Sequence, residues 1–303
     1  MADNRIYFVD VTNRDGVQTS RLGLAKLQKT IINLMLNDMG ITQSEFGFPT
    51  TKHELNYLNG NLELVKRGVI TKTKLSGWMR GIASDVETSF KNVPELKYVN
   101  LSQSTSEQMI NGKYLGKKTP DDIIKMTKEA VECAIDKGAK IVGVNAEDAS
   151  RSDIDFLIRY AKEAKKSGAY RFRYCDTLGY EDPQTTYDRI YKIAKETEMP
   201  IEMHFHNDLG MATACSVMGA RAAIDAGVDA YINTAINGMG ERAGNADLVS
   251  CLLACLKSAG FKGKYKIDEN IRLDKAWELA KYTAYAFGVD IPINQPAVGD
   301  NAF

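Results

Sequence analysis

Histidine is scarce in this sequence, three residues in 303, and several signatures of specialised proteins are missing altogether. No stretch approaches the roughly 18 consecutive apolar residues of a membrane helix, which excludes a helical span. There is no net charge, with Lys plus Arg and Asp plus Glu at 39 each. No field therefore draws the chain to nucleic acid or acidic lipid, and no basic stripe interleaved with aromatics appears. Five cysteines (Cys133, Cys175, Cys215, Cys251, Cys255) are odd in number and lack CxxC spacing, which excludes a disulfide framework and a zinc ribbon. Reduced thiols in a cytoplasmic protein fit better. The first residues lead into a short apolar strand rather than a basic segment with a long apolar core, so no export signal is read there. Repeats and low-complexity tracts are also lacking.

What is present is a regular alternation. Short β-branched runs at 6–11, 43–46, 73–77, 97–101, 141–145, 171–175, 201–204 and 230–234 alternate with helical patterns. The helical patterns fall at 22–37, 53–67, 85–91, 120–137, 152–166, 183–198, 211–226 and 246–258. In the fourth of these, Ile124, Met126, Ala130, Cys133 and Ala134 fall near helical spacing and give one face to pack on a sheet. Eight strand–helix pairs predict an α/β fold of the closed (β/α)8 TIM-barrel kind over residues 1–260. An open doubly wound sheet is the alternative. Its first strand would run into a Gly-rich dinucleotide loop, whereas residues 12–20 contain only Gly16. Residues 261–303 read as a short C-terminal helical extension, with one helical pattern at 273–287 and an irregular tail.

Barrel enzymes place their chemistry at the C-terminal ends of the strands, and the polar clusters fall there. His204 and His206 stand two apart, the strand period, so both imidazoles can face one side and share an ion. A hydrogen-bonded pair without metal is the alternative reading. Asp15 and Asn245, at the mouths of the first and eighth strands, can add oxygen ligands once barrel closure brings those strands together. Such a nitrogen–oxygen set suits Mn, Mg, Zn, Fe or Co rather than a closed thiolate site. Arg14 would lie beside the ion, to stabilise negative charge on an enolate or carboxylate, or else form an ion pair with Glu45 or Glu241. Gly238, Gly240 and Gly244, ahead of a helix, offer a weak anion-cradle motif.

Three motifs in order, Asp-Val-Thr-Asn-Arg-Asp-Gly-Val-Gln from Asp10, His-Phe-His-Asn-Asp-Leu-Gly from His204 and Asn-Gly-Met-Gly-Glu-Arg-Ala-Gly-Asn from Asn237, resemble those of the metal-dependent acyl-CoA Claisen-condensing barrels. That family includes homocitrate, isopropylmalate, citramalate and Re-type citrate synthases. The resemblance runs from residue 6 to about 258. It implies Asp15, His204 and His206 as ligands of a divalent metal ion, with Asn245 in or near the coordination sphere. It further implies Arg14 as electrostatic partner of the 2-oxo acid carbonyl and nascent enolate, Thr177 as donor to its carboxylate, and Gln18 and Glu45 as pocket residues. Glu147 matches the family's active-site glutamate, which moves a proton during acetyl-CoA enolisation; the alternative is a supporting contact to Arg14. The implied partners are acetyl-CoA and a 2-oxo acid.

The chain departs from the family pattern twice. Residues 100–109, Asn-Leu-Ser-Gln-Ser-Thr-Ser-Glu-Gln-Met, lack the two histidines that many relatives carry at the fourth strand. Polar Asn100, Ser102 and Ser104, with Arg80 nearby, would suit a second carboxylate better than an isopropyl group, which points to oxaloacetate or 2-oxoglutarate as substrate and citrate or homocitrate as product. Relatives also continue beyond the stretch matching residues 298–303, into a segment whose histidine assists a neighbouring subunit. The expectation is a chain truncated relative to the family, with weak condensation alone, acting as a homodimer or with a partner that supplies that segment. A lyase of the same superfamily is the main rival, but the loop 238–245 lacks the cysteine that those lyases carry.

Overall fold

The computed structural model describes residues 4–302. Strands β1 (Arg5–Asp10), β2 (Gln43–Gly47), β3 (Lys74–Arg80), β4 (Tyr98–Ser104), β5 (Ile141–Glu147), β6 (Arg171–Asp176), β7 (Ile201–Phe205) and β8 (Ala230–Thr234) follow the predicted order. Each pairs in parallel with the next, and β8 pairs back onto β1 with Ile6 opposite Ala230 and Asp10 opposite Thr234. The sheet therefore closes into a (β/α)8 barrel, as the alternation predicts.

The helices are α1 (Lys26–Met39), α2 (Leu55–Lys66), α3 (Ala83–Asn92), α4 (Glu107–Tyr114), α5 (Pro120–Asp136), α6 (Ile154–Lys166), α7 (Pro183–Thr197), α8 (Ala212–Ala226), α9 (Leu248–Lys257) and α10 (Ala276–Phe287). Their starts follow from local chemistry. Thr119 and Asp122 form a capping box ahead of α5, whose first residue is Pro120. Helix α1 begins at Lys26, later than the periodicity implies, because Ala25 is extended and its N–H donates to Gln28 Oε1 (2.7 Å). Helix α4 is an addition that the sequence pattern does not show: Asn111 and Gly112 depress its helix propensity and only Ile110 is fully buried.

Residues 261–302 are knit to the barrel. A two-residue strand β9 (Lys266–Ile267) pairs with Arg5 and Ile6 of β1. Helix α10 buries Leu279, Ala280, Thr283 and Phe287, and the Ala280 carbonyl accepts from Asn237 Nδ2 (2.9 Å).

The outward faces of the strands, among them Phe8, Phe46, Leu101, Val144, Phe172, Met203 and Ile232, form the apolar layer under the helices. The lumen is different. Barrel interiors are usually filled by branched aliphatics; here Arg171 and Arg173 of β6 reach across to Gln43 and Glu45 of β2. Arg173 Nη2 lies 2.7 Å from Glu45 Oε2 and 2.8 Å from Glu202 Oε1, and Arg171 Nε lies 2.6 Å from Glu202 Oε2. Arg171 also stacks on Tyr231, 4.3 Å from the ring centre. All four charged side chains are essentially inaccessible. Such a cluster persists because each charge is paired, and removing one member strands another in a low-dielectric interior.

Candidate active site

The chain turns sharply after β1. The amides of Arg14, Asp15 and Gly16 all donate to the Val11 carbonyl (3.0, 2.7 and 3.1 Å), which sets Arg14 and Asp15 side by side at the barrel mouth. Across the closure, His204 and His206 project from the end of β7 with their rings perpendicular and 5.0 Å apart. Ligand-capable atoms of Asp15, His204 and His206 lie within 4.8 Å of one another, and all three residues are buried.

Asn245 joins them. It forms an isolated bridge with His206, and its Nδ2 donates to Asp15 Oδ2 (2.6 Å). The glycines before it give it space rather than cradling an anion. A Cβ at Gly240 would lie 2.2 Å from Asn245 Nδ2, and one at Gly244, where φ is +89°, would lie 2.0 Å from the Gly238 carbonyl.

The donor set fits a divalent cation. His204 Nδ1 is held by Asn233 Oδ1 (2.8 Å), which leaves Nε2 for ligation. His206 Nδ1 and Asn245 Oδ1 are buried without a protein partner, as expected of atoms reserved for a ligand. Burial pushes both imidazoles down, His206 to about 4, so both are neutral lone-pair donors at pH 7. Burial would raise the Asp15 carboxyl, but Arg14 and the adjoining polar groups outweigh it and hold the group well below the usual carboxylate range. Two imidazoles, a carboxylate and an amide oxygen suit a borderline or hard divalent ion.

Arg14 is clamped on two sides: Nε donates to Glu45 Oε1 (2.6 Å) and Nη1 to Asp15 Oδ1 (2.5 Å), with Trp78 beneath at 5.5 Å. Of the two ion-pair partners left open, Glu45 is the one it takes. Burial opposes ionisation of Glu45, yet Arg14 and Arg173 hold it at about 2.

A cavity of about 210 Å³ opens beside the cluster, lined by Arg14, Asp15, Gln18, Ser102, Glu147, Thr177, His204 and His206 among others. Thr177 Oγ1 accepts from the Asp148 amide (2.9 Å), so its own proton is directed elsewhere. Glu147 takes Ser104 (2.7 Å) and Lys113 of α4 (2.5 Å) rather than Arg14. It also lines a second recess of about 240 Å³, which shares Trp78 and Ser102 with the first.

Four expected pocket residues sit elsewhere. Glu45 is fully buried beneath Arg14 and Arg173, and Asn100 donates to Glu45 Oε2 (2.7 Å), so both form the floor. Arg80 grips Asp85 through two bonds (2.7 and 2.8 Å) and lines the second recess, as does Ser104. Sequence reasoning missed Asn145, Arg173 and Cys175, which line the first cavity, and Asn233 and Glu202 behind His204. It also missed Arg242, whose guanidinium ties Asp208 (2.8 and 3.0 Å) and the Thr177 carbonyl (2.6 Å) into one rim.

Fold and site together define a (β/α)8-barrel enzyme with a metal-type ligand cluster at its C-terminal mouth. The chain matches the HMGL-like family over residues 5–282 and belongs to that family. It is 58% identical over 299 residues to a citrate (Re)-synthase of Dehalococcoides mccartyi, covering 99% of this chain and 72% of that one. It is 38% identical to 2-isopropylmalate synthase 2 of Caldanaerobacter subterraneus, covering 99% of this chain and 73% of the relative. Among solved structures, hydroxymethylglutaryl-CoA lyase from Pseudomonas aeruginosa superposes with a TM-score of 0.73 at 17% identity over 95% of each chain, a likeness of fold.

Proposed function

We propose that the protein is an acyltransferase that condenses acetyl-CoA with a 2-oxo dicarboxylic acid, as a Re-type citrate synthase does. The supporting observation is the buried cluster of Asp15, His204, His206 and Asn245 facing a cavity that Arg14, Thr177 and Glu147 also line. The 58% identity to a citrate (Re)-synthase supports the same reading. A divalent ion held by the four residues would act as a Lewis acid on the keto carbonyl.

The chain's own residues supply the rest. Thr177 donates to the 2-oxo acid carboxylate. Arg14, immobilised by Glu45 and Asp15, meets the developing oxyanion without reorganising. Glu147 stands between the cavity and the second recess, where it takes a proton from the acetyl methyl as the thioester enters beside Trp78. The new carbon–carbon bond joins that methyl carbon to the keto carbon. Water then cleaves the thioester, releasing the CoA thiol and, from oxaloacetate, citrate. We further infer a cytoplasmic homodimer, open to sedimentation and fractionation. No helix among the described residues is long and apolar enough to cross a membrane.

Thiol release from acetyl-CoA, screened with oxaloacetate, 2-oxoglutarate, pyruvate and 2-oxoisovalerate with and without added Mn²⁺, Mg²⁺ or Zn²⁺, tests the reading. Product is accumulated at high enzyme concentration and read by mass. Metal-dependent citrate is the expected product. No release with any acid, or release with 2-oxoisovalerate alone, overturns the proposal.

A further inference from the structure

The floor of the first cavity holds polar groups that the protein leaves without partners. Asn145 is 1% exposed, lines the cavity, and neither its Oδ1 nor its Nδ2 meets a donor or acceptor. Its neighbours across the sheet, in register, are Ser102 on β4 and Arg173 on β6. Both line the same cavity, and Arg173 Nε is also buried and unpartnered. A buried amide with both ends unpaired is costly in any protein, and such groups are rare where no ligand completes them.

We propose that Ser102, Asn145 and Arg173 form the subsite for the second carboxylate of the 2-oxo dicarboxylic acid, an assignment that rests on the condensation reading above. Asn145 Nδ2 and Arg173 Nε each supply an N–H, and Ser102 a hydroxyl. Other polar residues of this part of the barrel are already engaged: Asn100 with Glu45, Ser104 with Glu147, and Arg80 with Asp85. Asn145 and Arg173 are the floor residues with N–H groups to spare.

Charge points the same way. The buried lumen pairs Arg14, Arg171 and Arg173 against Asp15, Glu45 and Glu202, and an imidazole that ligates a metal through its lone pair adds no charge. A divalent cation then leaves two positive charges uncancelled. A dicarboxylate neutralises them, whereas a monocarboxylate leaves one in a low-dielectric site. The apolar wall is Phe48 packed edge-on against Trp78, 5.6 Å between centres.

Calorimetric titration of the full chain in Mn²⁺ with oxaloacetate and with pyruvate, which lacks only the second carboxylate, tests the subsite without requiring turnover. The wild type is expected to bind oxaloacetate more tightly. Asn145→Leu, which keeps the bulk and loses the donor, is expected to weaken oxaloacetate about tenfold or more and to leave pyruvate within about twofold. Asn145→Ser, less demanding on the fold, is expected to show the same selective loss to a smaller extent. Equal weakening of both acids in the two variants, no weakening of oxaloacetate, or a wild type that binds pyruvate as tightly as oxaloacetate would overturn the assignment. Thiol release that fails while the selective binding persists removes the condensation reading and leaves the subsite standing.

Discussion

His204 Nδ1 donates its proton to Asn233 Oδ1 at 2.8 Å, and the direction of that bond is fixed from behind. Asn233 Nδ2 must donate to Glu202 Oε1 (2.7 Å), because a carboxylate only accepts. The amide therefore cannot flip, the imidazole is held as its Nδ1–H tautomer, and the Nε2 lone pair faces the cluster. Asn233→Leu removes this control while keeping the volume. We expect metal affinity to fall about ten- to a hundredfold with little change in overall fold, read by competitive chelator titration and circular dichroism. Unaltered affinity would show that the tautomer is set by other means.

Glu202 pairs with both Arg171 and Arg173. Glu202→Leu should therefore destabilise the folded chain by about 3–5 kcal/mol, more than loss of an exposed pair such as Lys162–Glu196, worth about 1 kcal/mol or less. Urea unfolding of the two variants side by side gives the comparison. Similar losses would mean that water reaches the lumen.

Acid should weaken the metal-free protein in two stages. Burial holds His206 at about 4 against 6.5 for a free imidazole, so between those values the unfolded chain binds more protons than the folded one. Stability is then fully present above pH 6.5 and declines as pH falls to 4, by about 3 kcal/mol for this group. Glu45, held at about 2 against 4.5, adds a loss in the same direction as pH falls through that lower window. Denaturation midpoints between pH 7.5 and 3 follow the trend; a flat profile from 6.5 to 4 would contradict it.

Glu147→Gln keeps the hydrogen bond from Ser104 and removes the base. The expected result is a fall of about 10²- to 10⁴-fold in turnover with unchanged metal affinity, since Glu147 lies outside the ligand cluster. Lys113→Ala, at a half-exposed position on α4, removes one partner of Glu147 but leaves the carboxylate, so turnover is expected to fall far less than in Glu147→Gln. Turnover retained in Glu147→Gln would assign the proton to another group.

Much of this was legible in the sequence. The eight strands stand out because buried parallel strands carry β-branched runs, and His204 with His206 stand out because their spacing matches the strand period. Depth along the lumen was not legible. Arg80, Ser102 and Asn100 share an inward parity, yet Arg80 rises above the cavity, Ser102 lines it and Asn100 lies beneath it. Height depends on the stagger between strands, which parity does not encode. One signal was readable: stepping back two residues from His204 reaches Glu202 on the same face, and Arg171 and Arg173 repeat that period on β6. Asn145 carries the same cue, two residues before Glu147 on β5, whereas the role of Asn233 exists only once β7 and β8 are in register.

The circuit from Arg14 through Glu45 and Arg173 to Glu202 also constrains how this barrel can change over time. Each interior carboxylate answers to two guanidiniums, so a lone replacement at position 45, 173 or 202 creates a defect that only a matching replacement heals. Divergence through this region is expected in coupled steps, with the three positions co-varying across related chains. A library that seeks new substrates for the scaffold gains most by randomising them jointly and leaving the rim for later rounds.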